Sequence, residues 1–186
     1  MRRTNKQWQR LKTEEVFANR YFRLRADECR MSDGRIMPKY FTVDFPDWVQ
    51  VVAREGSGRI VMVDQYRYSG QSWFVEFPGG STHPNRSEDP LLAAQRELAE
   101  ETGYTSEQWS YLGHHYPNPA LLSNKCHVFF AENCKKTQEQ KLDPYEELDV
   151  VLLNPSELED RLKGGGFAHS LMLASYVLAR EILNHS

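Results

Sequence analysis

The stretch GGSTHPNRSEDPLLAAQRELAEETGY, residues 79–104, decides the fold. It predicts a helix over Pro90–Thr102 that keeps one apolar stripe. Asp89 is a good N-cap, and Pro90 suits the first helical position. Gly103 follows the last helical residue, where a left-handed backbone conformation can end the helix.

This helix carries three carboxylates close together, Glu97, Glu100 and Glu101. Glu97 precedes the other two by three and four residues, and those two are adjacent. They can share one helix edge within a single turn of about 5.4 Å. Like charges at this spacing repel each other by about 0.2–0.5 kcal/mol per pair. A salt bridge to Arg96 or to a lysine could offset the repulsion, and so could a hard divalent cation, which prefers carboxylate oxygens. Helix spacing alone leaves both alternatives open.

The wider pattern resembles the box of the Nudix family, G-x5-E-x7-R-E-U-x-E-E-x-G-U, where U is a bulky apolar residue. Every defined position from Glu88 to Tyr104 matches this box. Seven residues instead of five separate Gly80 from Glu88. We therefore expect a two-residue insertion in the loop before the helix, for which Pro84 and Asn85 are suitable loop residues.

The resemblance implies a loop–helix–loop that binds Mg²⁺, or alternatively Mn²⁺, and hydrolyses a nucleoside diphosphate linked to another group. It implies four metal ligands, namely Glu97, Glu100, Glu101 and the carbonyl of Gly79. Divalent ions neutralise phosphate oxygens, lower the pKa of a bound water and hold the leaving group. A carboxylate-rich helix would repel a diphosphate without such ions and attract it with them.

Further roles follow from the same resemblance. Glu88 would support the metal site by contacting the arginine or a bound water, and Arg96 would orient neighbouring helix carboxylates through bidentate bonds. The family subgroup also places a glutamate in a loop before the last core strand. Glu146 is the first choice for this general base or metal-shell residue, Glu147 is the second, and Glu100 also counts as catalytic. The alternative is a solvated acidic loop.

Two segments upstream of the helix indicate which subgroup of the Nudix family the chain resembles. DQYRY at 64–68 and WFVEFPGG at 73–80 resemble the Q-Y-R and E-L/F-P-A/G-G motifs of ADP-ribose pyrophosphatases and related nucleoside-diphosphate-sugar hydrolases. The resemblance implies that Arg67 contacts the diphosphate or terminal sugar; otherwise it is a surface strand charge. Glu76 would bind a substrate group or pair with an arginine. Asn124 stands where a glutamate is common, which weakens the case for strict ADP-ribose specificity.

The implied reaction is metal-dependent hydrolysis of the diphosphate linkage of nucleoside diphosphate sugars, of ADP-ribose or GDP-mannose type. The products would be a nucleoside monophosphate and a sugar phosphate. One alternative is a Nudix pyrophosphohydrolase acting on nucleoside triphosphates or capped RNA. Another is a non-catalytic nucleotide-sensing module, although such modules usually lose the box glutamates that this chain retains.

The implied fold class is α+β, a Nudix α/β/α sandwich with a mixed β-sheet, preceded by a small antiparallel N-terminal β region. Residues 1–46 would form that region, which builds a homodimer and part of the nucleotide pocket, and residues 47–186 would form the catalytic domain. Trp8, Phe22 and Tyr21 are candidates for base stacking, with core packing as the alternative.

The remaining elements follow from hydrophobic patterning and turn residues. Residues 104–115 show no clear pattern. Strands are predicted at 21–29, 37–45, 48–54, 59–65, 125–131 and 148–153, and two closing helices at 155–162 and 168–183.

Composition and charge exclude several classes of protein. The 186 residues carry a net charge of −3, so no global basic surface is available and no stable nucleic-acid partner is expected. No apolar run approaches the length of a membrane span. The basic start lacks a following apolar stretch, so we expect no secretory signal. Three sparse cysteines, Cys29, Cys126 and Cys134, suit a reducing compartment, and a cytoplasmic location is expected.

Overall fold

A computed structural model describes residues 7–83, 88–165 and 169–184. The suggested insertion at Pro84 and Asn85 lies outside these residues. Contacts within the chain divide it into two units. The smaller unit contains residues up to 46 together with 116–124, and the larger contains residues 47–115 and 125–186.

The smaller unit is a three-stranded antiparallel sheet in the order β1-β2-β3. The strands are β1 (Gln9–Ala18), β2 (Arg23–Arg30) and β3 (Ile36–Asp44). The sequence predicted β2 and β3 within two residues at each end, but it did not predict β1. Every residue of β1 is exposed, so no alternation of buried and exposed positions marks this strand. Segment 116–124 joins the unit where the Val43 N–H donates to a carbonyl of that segment.

The larger unit contains a seven-stranded sheet in the order β10-β5-β4-β9-β7, with β6 paired to β5 and β8 paired to β9. Strands β4 and β9 are parallel and the other pairs are antiparallel, so the predicted mixed sheet is confirmed. The strands are β4 (Trp48–Glu55), β5 (Ile60–Arg67), β6 (Ser72–Glu76), β7 (Tyr104–Thr105), β8 (Gln108–His115), β9 (Cys126–Lys136) and β10 (Leu148–Leu153).

Three helices accompany this sheet, α1 (Pro90–Thr102), α2 (Pro155–Lys163) and α3 (Ser170–Asn184). The predicted start of the last helix, at residue 168, lies outside the described residues. Within the part of the chain that the structure describes, no helix combines the length and apolar character needed to cross a membrane.

Alternation along β4 shows that helices cover both faces of the sheet. Val49 and Val51 belong to an apolar cluster with Leu98 of α1. Val52 points to the other face and belongs to a second cluster with Met172 of α3. Successive strand residues face opposite sides, so α1 and α3 lie on opposite faces of the sheet. The predicted α/β/α sandwich is confirmed.

Helix α1 has the predicted bounds because local signals set both ends. The Asp89 side chain accepts a hydrogen bond from the Leu91 N–H at 2.8 Å. Gly103 ends the helix with a φ of +74°, a conformation that favours glycine. Apolar packing of α1 against the sheet holds its acidic edge at the rim of a cavity in the larger unit.

Candidate active site

Two adjoining cavities, of about 510 Å³ and 140 Å³, share the residues Gly80, Ser81 and Glu146. They bring together most of the residues that the sequence singled out in the larger unit. The larger cavity is lined by the predicted site residues Arg67, Glu76, Gly79 and Glu146. The smaller cavity is lined by the predicted residues Arg96, Glu97, Glu100 and Glu146.

Two glycines let the loop after β6 touch the acidic helix. The Gly79 N–H donates to Oε2 of Glu101 at 2.8 Å. A Cβ atom at Gly79 would collide with the Val49 carbonyl oxygen, and a Cβ at Gly80 would lie 2.5 Å from the carboxyl carbon of Glu97. A larger residue at Gly80 would push the loop away from the helix carboxylates, and one at Gly79 would push it away from β4.

Glu101 is a buried carboxylate with little compensation for its charge. Its side chain belongs to a residue only 3% exposed. Burial raises its pKa well above the usual value, and the charges of Glu97 and Glu146 raise it further. The hydrogen bond from the Gly79 N–H opposes this shift without cancelling it. A nearby cation would therefore stabilise the ionised form of Glu101.

Arg96 contacts three of the box carboxylates. Its Nε and Nη2 donate to the two carboxylate oxygens of Glu88 at 3.3 and 3.2 Å, so Arg96 forms a bidentate contact with Glu88. A single nitrogen, Nη1, donates to Glu97 at 2.8 Å and to Glu100 at 3.2 Å. This differs from the expected bidentate bonds to the helix carboxylates. Glu97 and Glu100 lie within one turn of Arg96, and one nitrogen reaches both.

Arg96 compensates these carboxylates unequally. Burial alone would raise the pKa of Glu88, but hydrogen bonds from Arg96 and from the His83 N–H hold it below the usual value. Burial raises the pKa of Glu97 to about 7 despite the attraction of Arg96. Arg96 and the His83 N–H therefore outweigh burial at Glu88, whereas burial outweighs Arg96 at Glu97.

The donor set of the smaller cavity fits a hard divalent cation. Glu97 and Glu100 line this cavity and offer carboxylate oxygens, whereas Glu101 lies on the same helix and lines neither cavity. Burial is the largest cause of the raised pKa values of Glu97 and Glu101, and neighbouring carboxylates raise both further. Among the described residues, no three acidic, histidine or cysteine side chains are arranged so that they could hold a metal ion by themselves, as they would in a closed cage. Mg²⁺ does not require such a cage, because it retains waters and binds substrate phosphates.

Glu76 forms the centre of a second charged cluster, in the larger cavity. It accepts hydrogen bonds from Nε and Nη2 of Arg67 at 3.1 and 2.6 Å, and Nδ1 of His169 lies 3.1 Å from its Oε1. Burial would raise the pKa of Glu76, but His169 and Arg67 hold it below the usual value. Arg67 is thus fixed at the cavity wall. No sequence motif predicts a role for His169.

The loop between β9 and β10 places one of its two candidate glutamates at the cavities. Glu146 is half-buried and lines both cavities, and its Oε2 accepts from the Asp143 N–H at 3.2 Å. Glu147 is exposed and lines neither cavity. Lys141 and Asp143 also line the smaller cavity, although no sequence motif predicts a role for them.

The aromatic candidates of the smaller unit differ in packing. Phe22 packs between Phe17 and Phe45, with ring centroids at 5.7 and 5.5 Å. Trp8 is 44% exposed and meets Tyr40 edge-on at 6.0 Å. Trp8 therefore keeps more free ring surface than Phe22.

Comparisons with known proteins agree with this arrangement. A profile of the NUDIX domain matches residues 45–174, and one of the nucleoside diphosphate sugar hydrolase N-terminal domain matches residues 8–43. The chain is 32% identical over 178 residues to the methanol dehydrogenase activator of Bacillus methanolicus, spanning 94% of this chain and 95% of that protein. It is 32% identical over 151 residues to the ADP-ribose pyrophosphatase of Bacillus subtilis, spanning 81% and 78%.

A solved structure described as an ADP compounds hydrolase has the same fold. The TM-score is 0.83 at 21% identity, with 99% of this chain and 98% of that chain covered. The NUDIX profile covers well over half of the chain, in the region that contains both cavities. The chain belongs to the Nudix hydrolase family, in the subgroup that carries the N-terminal domain of nucleoside diphosphate sugar hydrolases.

Proposed function

We propose that this Nudix hydrolase cleaves the diphosphate linkage of nucleoside diphosphate sugars of ADP-ribose or GDP-mannose type. The products are a nucleoside monophosphate and a sugar phosphate. The observation that carries the proposal is the junction of the two cavities at Gly80, Ser81 and Glu146. A diphosphate at this junction would lie between the acidic helix edge and Arg67. The relative named ADP-ribose pyrophosphatase supports the same substrate class.

The proposed cofactor is a divalent cation, Mg²⁺ with Mn²⁺ as the alternative. Glu97, Glu100, Glu101 and the Gly79 carbonyl would hold it. When bound, it supplies neutralisation of the phosphate oxygens and a lower pKa for the attacking water. Arg96 keeps Glu97 and Glu100 in place through its Nη1, and its two bonds to Glu88 secure the guanidinium.

Two further side chains act directly on the substrate in this proposal. Arg67 donates hydrogen bonds to a phosphate oxygen or the adjoining sugar, and Glu76 holds its guanidinium in place. Glu146 accepts a proton from the attacking water, a role that contributes about 10²–10⁴-fold in rate. Its position in both cavities suits this role, and Glu147 is the second choice.

We also propose a cytoplasmic homodimer built through residues 1–46, which would contribute Trp8 and Phe22 to the nucleotide pocket. Eight large apolar side chains exposed within residues 7–46 support an interface there, since a stable dimer buries about 1,600 Å². The three cysteines are buried and free, which suits a reducing compartment. The exposed side chains are Trp8, Leu11, Val16, Phe17, Tyr21, Ile36, Met37 and Phe41.

A substrate panel tests the reaction. The purified protein is incubated with Mg²⁺ and ADP-ribose, GDP-mannose or UDP-glucose, and the products are separated by chromatography, with a chelator-treated sample as control. We expect a nucleoside monophosphate and a sugar phosphate only when metal is present. Turnover confined to nucleoside triphosphates or capped RNA would overturn the proposal. Light scattering of the eluted protein tests the dimer.

A second function is favoured by one comparison. The relative named methanol dehydrogenase activator aligns with 94% of this chain, including the N-terminal unit. The protein would then raise the activity of a dehydrogenase. Adding the purified chain to a methanol dehydrogenase assay tests this role. The Glu101→Gln variant serves as a control that separates hydrolysis from simple binding.

A further inference from the structure

One part of the larger cavity is not explained by the diphosphate chemistry. Trp48 and Gln50 reach it from β4 and Phe74 from β6. His169 reaches it from the residue before α3, and Leu171 from the first turn of α3. This part combines apolar walls with a few fixed polar groups. Binding sites for small organic ligands have this composition, and a volume of about 510 Å³ lies in their usual range.

Gln50 has a buried side-chain amide that is oriented by a hydrogen bond from α3. The residue is 5% exposed, and its Oε1 accepts a hydrogen bond of 2.6 Å from the Ser175 hydroxyl. Ser175 is fully buried in α3. With the amide oxygen engaged, the NH₂ group is the part of the Gln50 side chain that can meet a ligand in the cavity.

His169 is held on two sides. Its Nδ1 lies 3.1 Å from Oε1 of Glu76, which is an ion-pair distance without the geometry of a hydrogen bond, and its ring meets Phe74 edge-on at a centroid distance of 6.0 Å. This arrangement leaves Nε2 as the nitrogen that can meet a ligand. Glu76 thus orients two cavity groups at once, Arg67 and His169.

We infer that this part of the cavity is the subsite for the sugar of a nucleoside diphosphate sugar, and that Gln50 and His169 select the sugar by its hydroxyl groups. The inference rests on the proposed function and deepens it. Hydroxyls both donate and accept, so an amide N–H and an imidazole nitrogen complement them. The apolar C–H face of a sugar ring can pack against Trp48 and Phe74.

The test separates recognition of the sugar from recognition of the base. His169→Ala, His169→Gln and Gln50→Ala are assayed on ADP-ribose and ADP-glucose, which differ in the sugar. They are also assayed on ADP-glucose, GDP-glucose and UDP-glucose, which differ in the base. His114→Gln is the matched control, because His114 is exposed and lies outside both cavities.

We expect His169→Ala and Gln50→Ala to change the wild-type ratio of kcat/KM between the two sugars by about 3–10-fold, the value of one hydrogen bond. KM should change more than kcat, and the ratios between bases should stay constant. His169→Gln should restore part of the sugar preference. Unchanged sugar ratios, or base ratios that shift equally, would overturn the subsite.

Calorimetric titration of the same nucleotides keeps the two proposals distinct. If the wild type binds nucleotide sugars without hydrolysing them, the proposed function fails. Loss of the sugar-dependent affinity in His169→Ala would still support the subsite. If the wild type hydrolyses the panel and the variants keep its sugar ratios, only the subsite fails. Absence of both binding and hydrolysis would overturn both.

Discussion

Two buried glutamates in the larger unit face opposite electrostatic conditions. Glu76, 1% exposed, lies against Arg67 and His169, and its pKa is held below the usual value. Glu101, 3% exposed, has one backbone N–H and two neighbouring carboxylates, Glu97 and Glu146, and its pKa is raised. Burial is the largest cause that raises the pKa of either carboxyl. At Glu76 the contacts with His169 and Arg67 outweigh burial, whereas at Glu101 the Gly79 N–H and the more distant charge of Arg67 do not.

The comparison distinguishes a completed ion cluster from an incomplete one. A buried charge is tolerated when it is paired and hydrogen-bonded, and otherwise it favours its neutral form. The cluster around Glu76 is complete within the protein and fixes the side chains that face the larger cavity. The cluster around Glu101 has no such partner within the protein, and in the proposed function a divalent cation would supply the positive charge.

The largest effect is expected for Glu101→Gln, which removes a proposed metal ligand and a buried charge together. We expect kcat to fall by about 10³–10⁴-fold, since a bound metal contributes several kcal/mol to the transition state. Nucleotide binding should remain measurable by calorimetry, and the melting temperature in chelator should rise. Glu107→Gln, at an exposed position, is the control. Undiminished hydrolysis would contradict the metal assignment.

Glu146 adds negative charge to the incomplete cluster, and a pair of variants tests its role. We expect Glu146→Gln to lower kcat by about 10²–10³-fold through loss of the general base. Glu147→Gln should leave kcat within about twofold, because surface substitutions away from a site have small effects. Rates with saturating substrate and Mg²⁺ measure both. A larger loss in Glu147→Gln would exchange the two roles.

The raised pKa of Glu97 predicts a pH dependence of stability in the metal-free protein. Its folded pKa of about 7 exceeds the model-compound value of 4.5, so the folded state binds the proton more tightly. The resulting stability is present below pH 4.5 and is lost as the pH rises to 7. We expect the free energy of unfolding to fall by about 2–3 kcal/mol between pH 5 and 8 relative to Glu97→Gln.

Urea unfolding in chelator at both pH values measures this difference. The comparison with Glu97→Gln removes the contribution of histidines that titrate in the same range. Mg²⁺ added at pH 8 should stabilise the wild type more than the variant, because the cation replaces the missing positive charge. Equal pH dependence in the two proteins would show that Glu97 is already compensated.

Local signals explain which parts of the fold could be predicted. Helix α1 was predicted to the residue because Asp89 and Gly103 mark its ends within the helix's own sequence. Strand β1 was missed because it is exposed throughout. The sequences of β7 and β8 show no clear hydrophobic alternation. Strand β7 has only two residues, and the residues of β8 are exposed or half-buried.

The candidate site likewise contains residues that local sequence predicts and residues that it does not predict. The box carboxylates lie within one short segment, whereas Gln50 and His169 are oriented by partners far along the chain, Ser175 and Glu76. The sequence around Gln50 and His169 does not predict that they contact Ser175 and Glu76. These contacts arise because β4, β6 and α3 meet at one cavity, which is a property of the packed sheet and helix.

The smallest effect tests the completed cluster itself. Glu76→Gln keeps the shape of the side chain but leaves Arg67 and His169 without their carboxylate. Breaking a buried pair costs about 3–5 kcal/mol, and the partial exposure of Arg67 should reduce this to about 2 kcal/mol of unfolding free energy. The matched control is Glu132→Gln, whose ion pair with Arg54 is more exposed on the acidic side and should contribute about 0–1 kcal/mol. If Glu76→Gln were as stable as that control, Arg67 and His169 would not depend on Glu76 for their positions.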